Sequence, residues 1–391
     1  MRCSERLRWK PDMAILPAKQ KQTGALFSVD VPPMRSHTLQ SLLSFLIPAV
    51  LCGSIFAADP PADPDGWAKI TEDETAIHLE TDTLTATFRK KGYVSGVEAK
   101  SFLDKRTGFR DPGHGLDIAD WILQDGSDAA YQDKLPEDLR YRHEPEILHL
   151  IHGDRPKRKL EGPQICTQAR ELHPRIIRGR DFVAIETTYT YTTAAPPYKA
   201  GSKWTQRLVF QKGKRYFISM DRVDCANDYA QVYLRLDMPG HIYHNDGDTF
   251  SEIYLSYHGG PDGSRLPSSQ FHEKFPPDGK FNYRRDRDGV PERFIRAYRL
   301  RDPKTGSDGP WLAGMTLNPA GTHEAWCNNV RYVCFIQEVG PSGPVKAGES
   351  FSTAFIVGYF DSVEQMQAVY DQHKGFTGLI VDETGWKLIK R

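Results

Sequence analysis

The segment KWTQRLVFQKGKRYFISMDRV, residues 203–223, carries the clearest fold signal in the chain. Its two halves are rich in aromatic and β-branched residues, which favour strands because they pack well on a pleated, half-buried surface. Between the halves lies Lys212-Gly213-Lys214, and a short link containing glycine between two such runs is typical of a hairpin. The segment therefore predicts two antiparallel strands joined by a tight turn.

Similar strand patterns occur on both sides of this hairpin. In AIHLETDTLTATFRKKG (76–92) apolar residues alternate with polar ones on either side of a Thr-Asp turn, and DFVAIETTYTYTT (181–193) is rich in strand formers. Further runs follow: AQVYLRLDM, PWLAGMTLN, RYVCFIQEVG and ESFSTAFIVGYF. Few connections are long enough to hold crossover helices, so the pattern predicts a mainly β protein, a large antiparallel β-sandwich and not a βαβ fold.

One C-terminal helix is predicted, in SVEQMQAVYDQHKG (362–375). Ser362 and Gln365 have capping-box spacing at its start, and Gly375 is a typical end signal. The apolar residues recur on one helical face: Val363, Met366, Val369 and Tyr370.

The N-terminal part resembles an export signal. Residues 34–57 begin with Met34 and basic residues, continue as an apolar run and end in small residues. This order is typical of a secretory signal peptide cleaved after Ala57, with an uncleaved anchor as the alternative. We expect residues 1–33 to come from an upstream start, residues 58–391 to form a single β-sandwich domain, and the protein to be secreted or periplasmic.

Composition narrows the classes of partner. The net charge of the 391-residue chain is zero, so no global field selects nucleic acid. No segment after residue 57 is apolar enough to span a membrane, so no membrane insertion is expected after cleavage. Four cysteines follow the signal, Cys166, Cys225, Cys327 and Cys334. An even number in an exported chain permits two disulfides, with three possible pairings, so we expect disulfides.

The segment PGHIYHNDGDTFSEIYLSYHGG, residues 239–260, has the densest set of reactive side chains. Strand alternation directs Ile253, Leu255 and Tyr257 towards the core, and leaves a carboxylate, a phenol and an imidazole on the other face: Glu252, Tyr254 and His258. His241 and Tyr243 share a face, with His244 opposite. These groups suit proton transfer, and a solvated sheet face is the alternative.

The same segment contains ligand types that calcium prefers. Asn245, Asp246 and Asp248 lie close together, but they lack the full spacing of a calcium loop, and a turn rich in Asn, Asp and Gly also explains them. We therefore expect no metal or other cofactor, with calcium as the alternative.

Two further groups suit an anionic sugar. The segment YRRDRDGVPERFIRAYRLR (283–301) is rich in arginine, and Arg296 shares a strand face with two aromatic residues. Arginine binds carboxylates through paired hydrogen bonds, whereas surface ion pairing is the alternative. Trp326, near Glu324, could form a platform for a sugar ring, or it could be a core residue beside a disulfide.

Two segments carry a resemblance to a known family. HLETDTLTATFRKKGYVSGVEAKSFLDKRTGFRD (78–111) resembles the opening strands of galactose-mutarotase-like β-sandwich domains, and VKAGESFSTAFIVGYFDS (345–362) resembles their closing strands. The resemblance implies the supersandwich fold. This fold occurs in sugar epimerases, polysaccharide lyases, hydrolase accessory domains and non-catalytic binding proteins. Mutarotases use two histidines and a glutamate, and His241, His258 and Glu252 are residues of these types.

Together these observations favour a carbohydrate-active protein that acts on an anionic polysaccharide or oligosaccharide. The first hypothesis is a polysaccharide lyase that cleaves by β-elimination, in which an arginine neutralises the uronate carboxylate, a histidine removes the proton and a tyrosine protonates the leaving oxygen. The candidates are Arg293 or Arg296, His258 or His241, and Tyr254, with Glu252 and Trp326 as further substrate contacts. A non-catalytic binding protein, a sugar epimerase, and a glycoside hydrolase using Glu252 and Glu324 are the alternatives.

Overall fold

The computed structural model describes residues 66–92, 95–126, 156–273, 275, 281–329 and 332–390. All of these belong to one compact unit, Ala58–Arg391. The signal peptide expected at residues 34–57 and the upstream segment 1–33 lie outside the described residues.

The described residues form 23 strands, in agreement with the predicted mainly β fold. The strands up to β12 are β1 (Ala68–Glu72), β2 (Ala76–Thr81), β3 (Leu84–Arg89), β4 (Val97–Glu98), β5 (Leu103–Asp104), β6 (Gly115–Asp125), β7 (Lys157–Gly162), β8 (Arg175–Arg178), β9 (Phe182–Thr190), β10 (Thr193–Ala194), β11 (Lys203–Gln211) and β12 (Tyr216–Asp224). The others are β13 (Tyr233–Gly240), β14 (Phe250–Leu255), β15 (Ser264–Pro267), β16 (Tyr283–Arg284), β17 (Ile295–Arg301), β18 (Asp308–Thr316), β19 (Thr322–Asn329), β20 (Val333–Val339), β21 (Ser350–Phe360), β22 (Gly378–Asp382) and β23 (Gly385–Ile389).

The helices are few and mostly short. α1 (Ile165–Gln168) and α2 (Arg285–Asp288) each comprise a single turn, and α3 (Val363–His373) is the predicted C-terminal helix. Two 3-10 turns, Ser268–Phe271 and Pro319–Gly321, complete the helical structure of the described residues. None of these helices has the length and apolarity that crossing a bilayer requires.

Two large sheets dominate the fold, and every ladder within them is antiparallel. One has nine strands in the order β15-β14-β17-β18-β21-β12-β11-β9-β8. The other has eight strands in the order β10-β7-β6-β13-β20-β19-β16, with β4 paired to β6. The hairpin predicted at residues 203–223 is β11–β12, in register from Lys203 opposite Asp224 to Phe210 opposite Phe217.

The main core lies between the two large sheets. Leu234, Leu236 and Met238 alternate along β13 of the eight-stranded sheet and belong to the same buried cluster as Leu208, Phe217 and Val357 of the nine-stranded sheet. Burial of apolar surface between the two layers is therefore the main source of stability.

A second apolar layer covers the outer face of the nine-stranded sheet. Met366 and Tyr370 of α3, and Leu379 and Val381 of β22, pack on residues such as Ile356. Because of this layer, both faces of the central strands are buried. Alternation in these strands therefore does not distinguish a solvent-exposed face from a buried one.

The outer face of the eight-stranded sheet carries charged side chains instead. Lys157 of β7 lies 2.7 Å from Glu324 of β19, although three strands separate β7 and β19 in the sheet order. In a flat sheet these two strands would be roughly 19 Å apart, further than the two extended side chains can span. The sheet therefore curves around this face, and side chains from non-adjacent strands converge over it.

All four of these cysteines are buried, and none of them forms a disulfide. The expectation of two disulfides is therefore wrong for these residues. Cys327 and Cys334 illustrate the reason: they lie on neighbouring strands, but Cys327 is opposite Phe335, and Cys334 is opposite Asn328.

Candidate active site

A cluster of two imidazoles and two phenols lies at one end of the charged face. We call His114, His241, Tyr243 and Tyr332 the His–Tyr cluster. The ring centroid of His114 lies 4.1 Å from that of Tyr243, 4.5 Å from that of Tyr332 and 5.7 Å from that of His241. Tyr332 lies 5.0 Å from His241 and 5.4 Å from Tyr243, so each ring is within contact range of at least two others.

Strand pairing explains why these side chains meet. Ile242 bridges Val333 in an antiparallel pair, with both backbone N–H groups donating to the partner's carbonyl oxygen. The side chains of the flanking residues point to the surface opposite that of Ile242 and Val333. On that surface His241 is next to Cys334, and Tyr243 is next to Tyr332. His241 and Tyr243 share this surface, as the alternation in the sequence predicted, while His244 lies against Phe250 and His272.

His241 is held in an ion pair with Asp237. Its Nε2 lies 3.0 Å from Asp237 Oδ2, and the imidazole is almost completely buried. Burial alone would lower the pKa of His241, but the negative charge of Asp237, assisted by Cys334, outweighs burial and raises this pKa well above its ordinary value. At neutral pH His241 therefore carries a proton and a positive charge.

His114 behaves in the opposite way. It lies in the turn before β6 and is half-buried. Burial and the positive charge of His241 lower the pKa of His114 to about 4, so this imidazole is neutral at neutral pH. Two adjacent imidazoles whose pKa values are displaced in opposite directions form a ready acid and base.

Tyr243 connects the His–Tyr cluster to the surface. It is 39% exposed, its hydroxyl is 3.2 Å from His114 Nδ1, and Lys100 Nζ lies 5.7 Å from its ring centroid. His114 Nε2 is buried and has no hydrogen-bond partner among the described residues. The cluster therefore offers an accessible phenol and a cation beside two imidazoles.

A buried ionic network occupies the rest of the charged face. Arg235 donates to Glu338 at 2.6 Å, and Lys157 Nζ is 2.7 Å from Glu324, 3.4 Å from Glu338 and 3.4 Å from Asp125. Burial alone would lower the pKa of Lys157, but Glu338 and Glu324 outweigh it and hold this pKa above its ordinary value.

His323, Glu324 and Glu338 bring three ligand atoms within 4.8 Å of one another, a spacing that a metal ion could use. The Lys157 ammonium already lies among the same carboxylates, so a protein cation supplies the positive charge there. These residues therefore fit an internal ion network better than a metal centre.

The structure separates Tyr254 and His258 from His241. Tyr254 is 1% exposed and belongs to the layer beneath α3, where its hydroxyl donates to the Asp262 carbonyl oxygen and accepts from Gln367. His258 lies beyond the end of β14, with Nδ1 3.0 Å from Ser264 Oγ. The predicted polar face of residues 250–258 is therefore not an open surface, because α3 packs over it.

The candidate substrate-binding residues are also paired elsewhere. Glu252 accepts from Arg265 at 2.7 Å on the nine-stranded sheet, and Arg293 binds Asp371 of α3 at 2.7 Å. Arg296 is fully buried and donates to the Ile336 carbonyl oxygen at 2.7 Å. Trp326 lies on the charged face, but it is fully buried under the Arg235 guanidinium group, 5.3 Å away, and is a core residue instead of an exposed platform.

The candidate calcium ligands form a turn. The backbone N–H of Asn245 donates to Asp248 Oδ1 at 2.7 Å, and the Asn245 amide donates to Asp248 Oδ2 at 3.3 Å. Hydrogen bonds within the segment therefore explain its composition.

Sequence reasoning missed His114, Asp237, Tyr332 and Lys100. Asp237 lies four residues before His241 on the same face, so strand alternation could have indicated it. Tyr332 occurs in a predicted strand, but nothing in the sequence pairs it with Tyr243. His114 and Lys100 lie in turns, where no periodicity indicates a partner.

The comparisons with known proteins concern the fold alone. No protein-family model and no curated protein matches the chain. Matching solved structures include a galactose mutarotase-like protein from Clostridium acetobutylicum, with 10% identity, a TM-score of 0.38 and coverage of 76% of this chain and 99% of that one. Another is the galactose 1-epimerase from Lactobacillus acidophilus, with 11% identity, a TM-score of 0.35 and coverage of 75% and 99%.

The matches also include a heparan sulfate lyase from Pedobacter heparinus, with 12% identity and a TM-score of 0.35. That match covers 83% of this chain and 42% of the lyase. The neighbours include galactose mutarotase-like proteins and epimerases, the class of β-sandwich that the sequence resembles. At these TM-scores they carry no statement about activity or substrate.

Proposed function

We propose that this protein is an exported carbohydrate-active enzyme, a lyase that cleaves an anionic polysaccharide by β-elimination at the His–Tyr cluster. The observation that carries the proposal is the pair of adjacent imidazoles, His114 and His241, whose ring centroids lie 5.7 Å apart and whose pKa values are displaced in opposite directions. Export is proposed from the signal-like segment at residues 34–57. No metal or other cofactor takes part in the proposed reaction.

Elimination begins with removal of the proton beside the uronate carboxylate. That carbon acid is weak until a cation or a strong donor neutralises the carboxylate. The Lys100 ammonium lies 5.7 Å from the Tyr243 ring centroid, and protonated His241 lies beside His114 and Tyr332 in the same cluster. Both cations suit this task. Neutral His114, next to the exposed Tyr243, is then the base.

Tyr243 completes the reaction as the acid. Its phenol gives a proton to the leaving glycosidic oxygen as the carbon–oxygen bond breaks and the ring carbon–carbon double bond forms. The hydrogen bond between Tyr243 and His114 Nδ1 then allows the two residues to restore their protonation states. The exposure of Tyr243 suits a polymer, which needs access from both directions along its chain.

The test is the ultraviolet absorbance of the unsaturated uronate during incubation of the full chain with a panel of uronic-acid polysaccharides. We expect a steady increase with at least one polymer, and a loss of about 100-fold or more in Tyr243→Phe and His114→Ala. Tyr216→Phe is the matched control, because Tyr216 stacks on Phe360 in the other large sheet and should leave the rate unchanged.

Two outcomes contradict the proposal. A flat trace with measurable binding of the same polymers would replace the lyase with a non-catalytic carbohydrate-binding protein. A flat trace without binding would remove the saccharide reaction from this site altogether.

A further inference from the structure

Cys334 lies against the buried side of His241. The antiparallel bridge between Ile242 and Val333 makes His241 and Cys334 cross-strand neighbours on one surface. The thiol sulfur also lies 4.0 Å from the carbonyl oxygen of Tyr332. Cys334 and His241 each keep less than a tenth of their surface exposed, and His241 Nδ1 has no hydrogen-bond partner among the described residues.

Asp237 occupies the other nitrogen of the same ring. Because Asp237 binds His241 Nε2, the unpartnered Nδ1 is the atom that remains for the neighbouring thiol. Cys334, His241 and Asp237 then form a series in which the carboxylate orients the ring beside the thiol. This arrangement activates cysteine as a nucleophile.

We propose that Cys334 is a reactive thiol, activated by His241 and Asp237, and is the site at which peroxides modify this protein. The inference does not depend on the saccharide reaction, since it concerns a different side chain and a different class of reactant.

In the proposed step the thiolate sulfur of Cys334 attacks one oxygen of the peroxide. A sulfur–oxygen bond forms as the oxygen–oxygen bond breaks, so the cysteine is oxidised to a sulfenic acid and the peroxide is reduced. His241 gives its proton to the leaving oxygen, which departs as water when the reactant is hydrogen peroxide. A second thiolate is not required.

The other described cysteines serve as internal controls. Burial raises the pKa of both Cys225 and Cys327 to about 12, which keeps them as thiols. Cys166 lies 3.5 Å from a carboxylate oxygen of Asp120 instead of an imidazole. Cys166 and Cys225 are 3% exposed and Cys334 is 4% exposed, so a difference in reactivity between them would reflect activation and not access.

The experiment treats the folded full chain with limiting hydrogen peroxide, traps sulfenic acid with dimedone, and measures each cysteine peptide by mass spectrometry. We expect Cys334 to be labelled at least about tenfold faster than Cys166, Cys225 and Cys327. In denaturant the four peptides should react at similar rates, because the activation requires the fold.

Variants test the source of the activation. His241→Gln and Asp237→Asn should each slow the labelling of Cys334 by about tenfold, whereas His244→Gln should not, since that ring faces the opposite surface. Equal labelling of the four cysteines in the unsubstituted protein would overturn the proposal without any variant. Unchanged labelling of Cys334 in His241→Gln and Asp237→Asn would overturn the role of the pair.

Discussion

At the scale of single residues, the least expected feature is a pair of carboxyl groups inside the core. Asp117 of β6 and Asp221 of β12 are both buried. The Gln206 side-chain amide donates to the backbone carbonyl oxygen of Asp117 at 2.9 Å and to Asp221 Oδ1 at 3.4 Å. Trp204 also donates to Asp221 at 2.7 Å. Burial, and for Asp221 the charge of Asp117, raise the pKa of both groups.

The raised pKa values of Asp117 and Asp221 determine how the stability of the protein changes with pH. A carboxyl whose pKa is higher in the folded protein binds its proton more tightly there than in the unfolded chain. Its stabilising contribution is complete at low pH and decreases as the pH rises above about 4, the ordinary carboxyl value. This pair therefore makes the protein less stable at high pH.

We predict that Asp117→Asn flattens this dependence. Asparagine keeps the shape, cannot ionise, and tolerates the positive φ of 57° at this position. The free energy of unfolding decreases between pH 5 and pH 8 in the unsubstituted protein. In the variant this decrease should be smaller by on the order of 1–3 kcal/mol, as measured by urea denaturation. Asp382→Asn, at the exposed end of β22, is the control, and parallel curves for all three proteins would contradict the prediction.

At the scale of elements, α3 is stabilised both by its local capping residues and by packing on the nine-stranded sheet. Ser362 caps the helix as predicted, since its side chain accepts from the Gln365 N–H at 3.2 Å. The Gln365 side chain accepts from the Asp361 N–H at 2.7 Å, one residue earlier than in a standard capping box. Met366 and Tyr370 then fix the helix on the nine-stranded sheet.

We predict that Ser362→Ala lowers the free energy of unfolding by about 1 kcal/mol, because a helix N–H loses its acceptor. Urea denaturation measures the change. Ser342→Ala, on an exposed loop, should change it by no more than about 0.5 kcal/mol. Equal effects of the two substitutions would show that the cap contributes nothing measurable.

At the scale of the whole molecule, Lys157 ties together strands that are distant in the sheet. Its ammonium contacts carboxylates of β6, β19 and β20, and the side chains of Lys157, Glu324 and Glu338 are fully buried. Removing one partner from such a network leaves the opposite charges buried and uncompensated, which costs more than the ion pair itself contributes.

We predict that Lys157→Met lowers the free energy of unfolding by about 3–5 kcal/mol, because Glu324 and Glu338 remain buried without their cation. Lys346→Met removes an ion pair whose lysine side chain is 67% exposed, and it should cost about 1 kcal/mol or less. Thermal or urea unfolding distinguishes the two, and a similar small loss in both would contradict a structural role for the network.

Local sequence patterns were enough to predict many of the strands, the β11–β12 hairpin and the C-terminal helix. Those features depend on neighbours within a few residues, such as the alternation in β11 and β12 and the cap at Ser362. The pairing of His241 with Tyr243 on one face was likewise a local property. The mainly β sandwich followed from these elements because few segments could have formed crossover helices.

The position of the candidate site depends on how the sheets and α3 pack, which local patterns do not show. Alternation assigns residues to two faces of a strand but does not say what covers each face. Tyr254 faced the layer formed by α3, whereas His241 faced His114, which comes from a turn more than a hundred residues earlier in the chain. The pairing of buried charges was also not predictable from local sequence, because curvature of the eight-stranded sheet brings Lys157 of β7 to Glu324 of β19. Contacts of this kind depend on how sheets stack and bend, and no periodicity in a single strand records them.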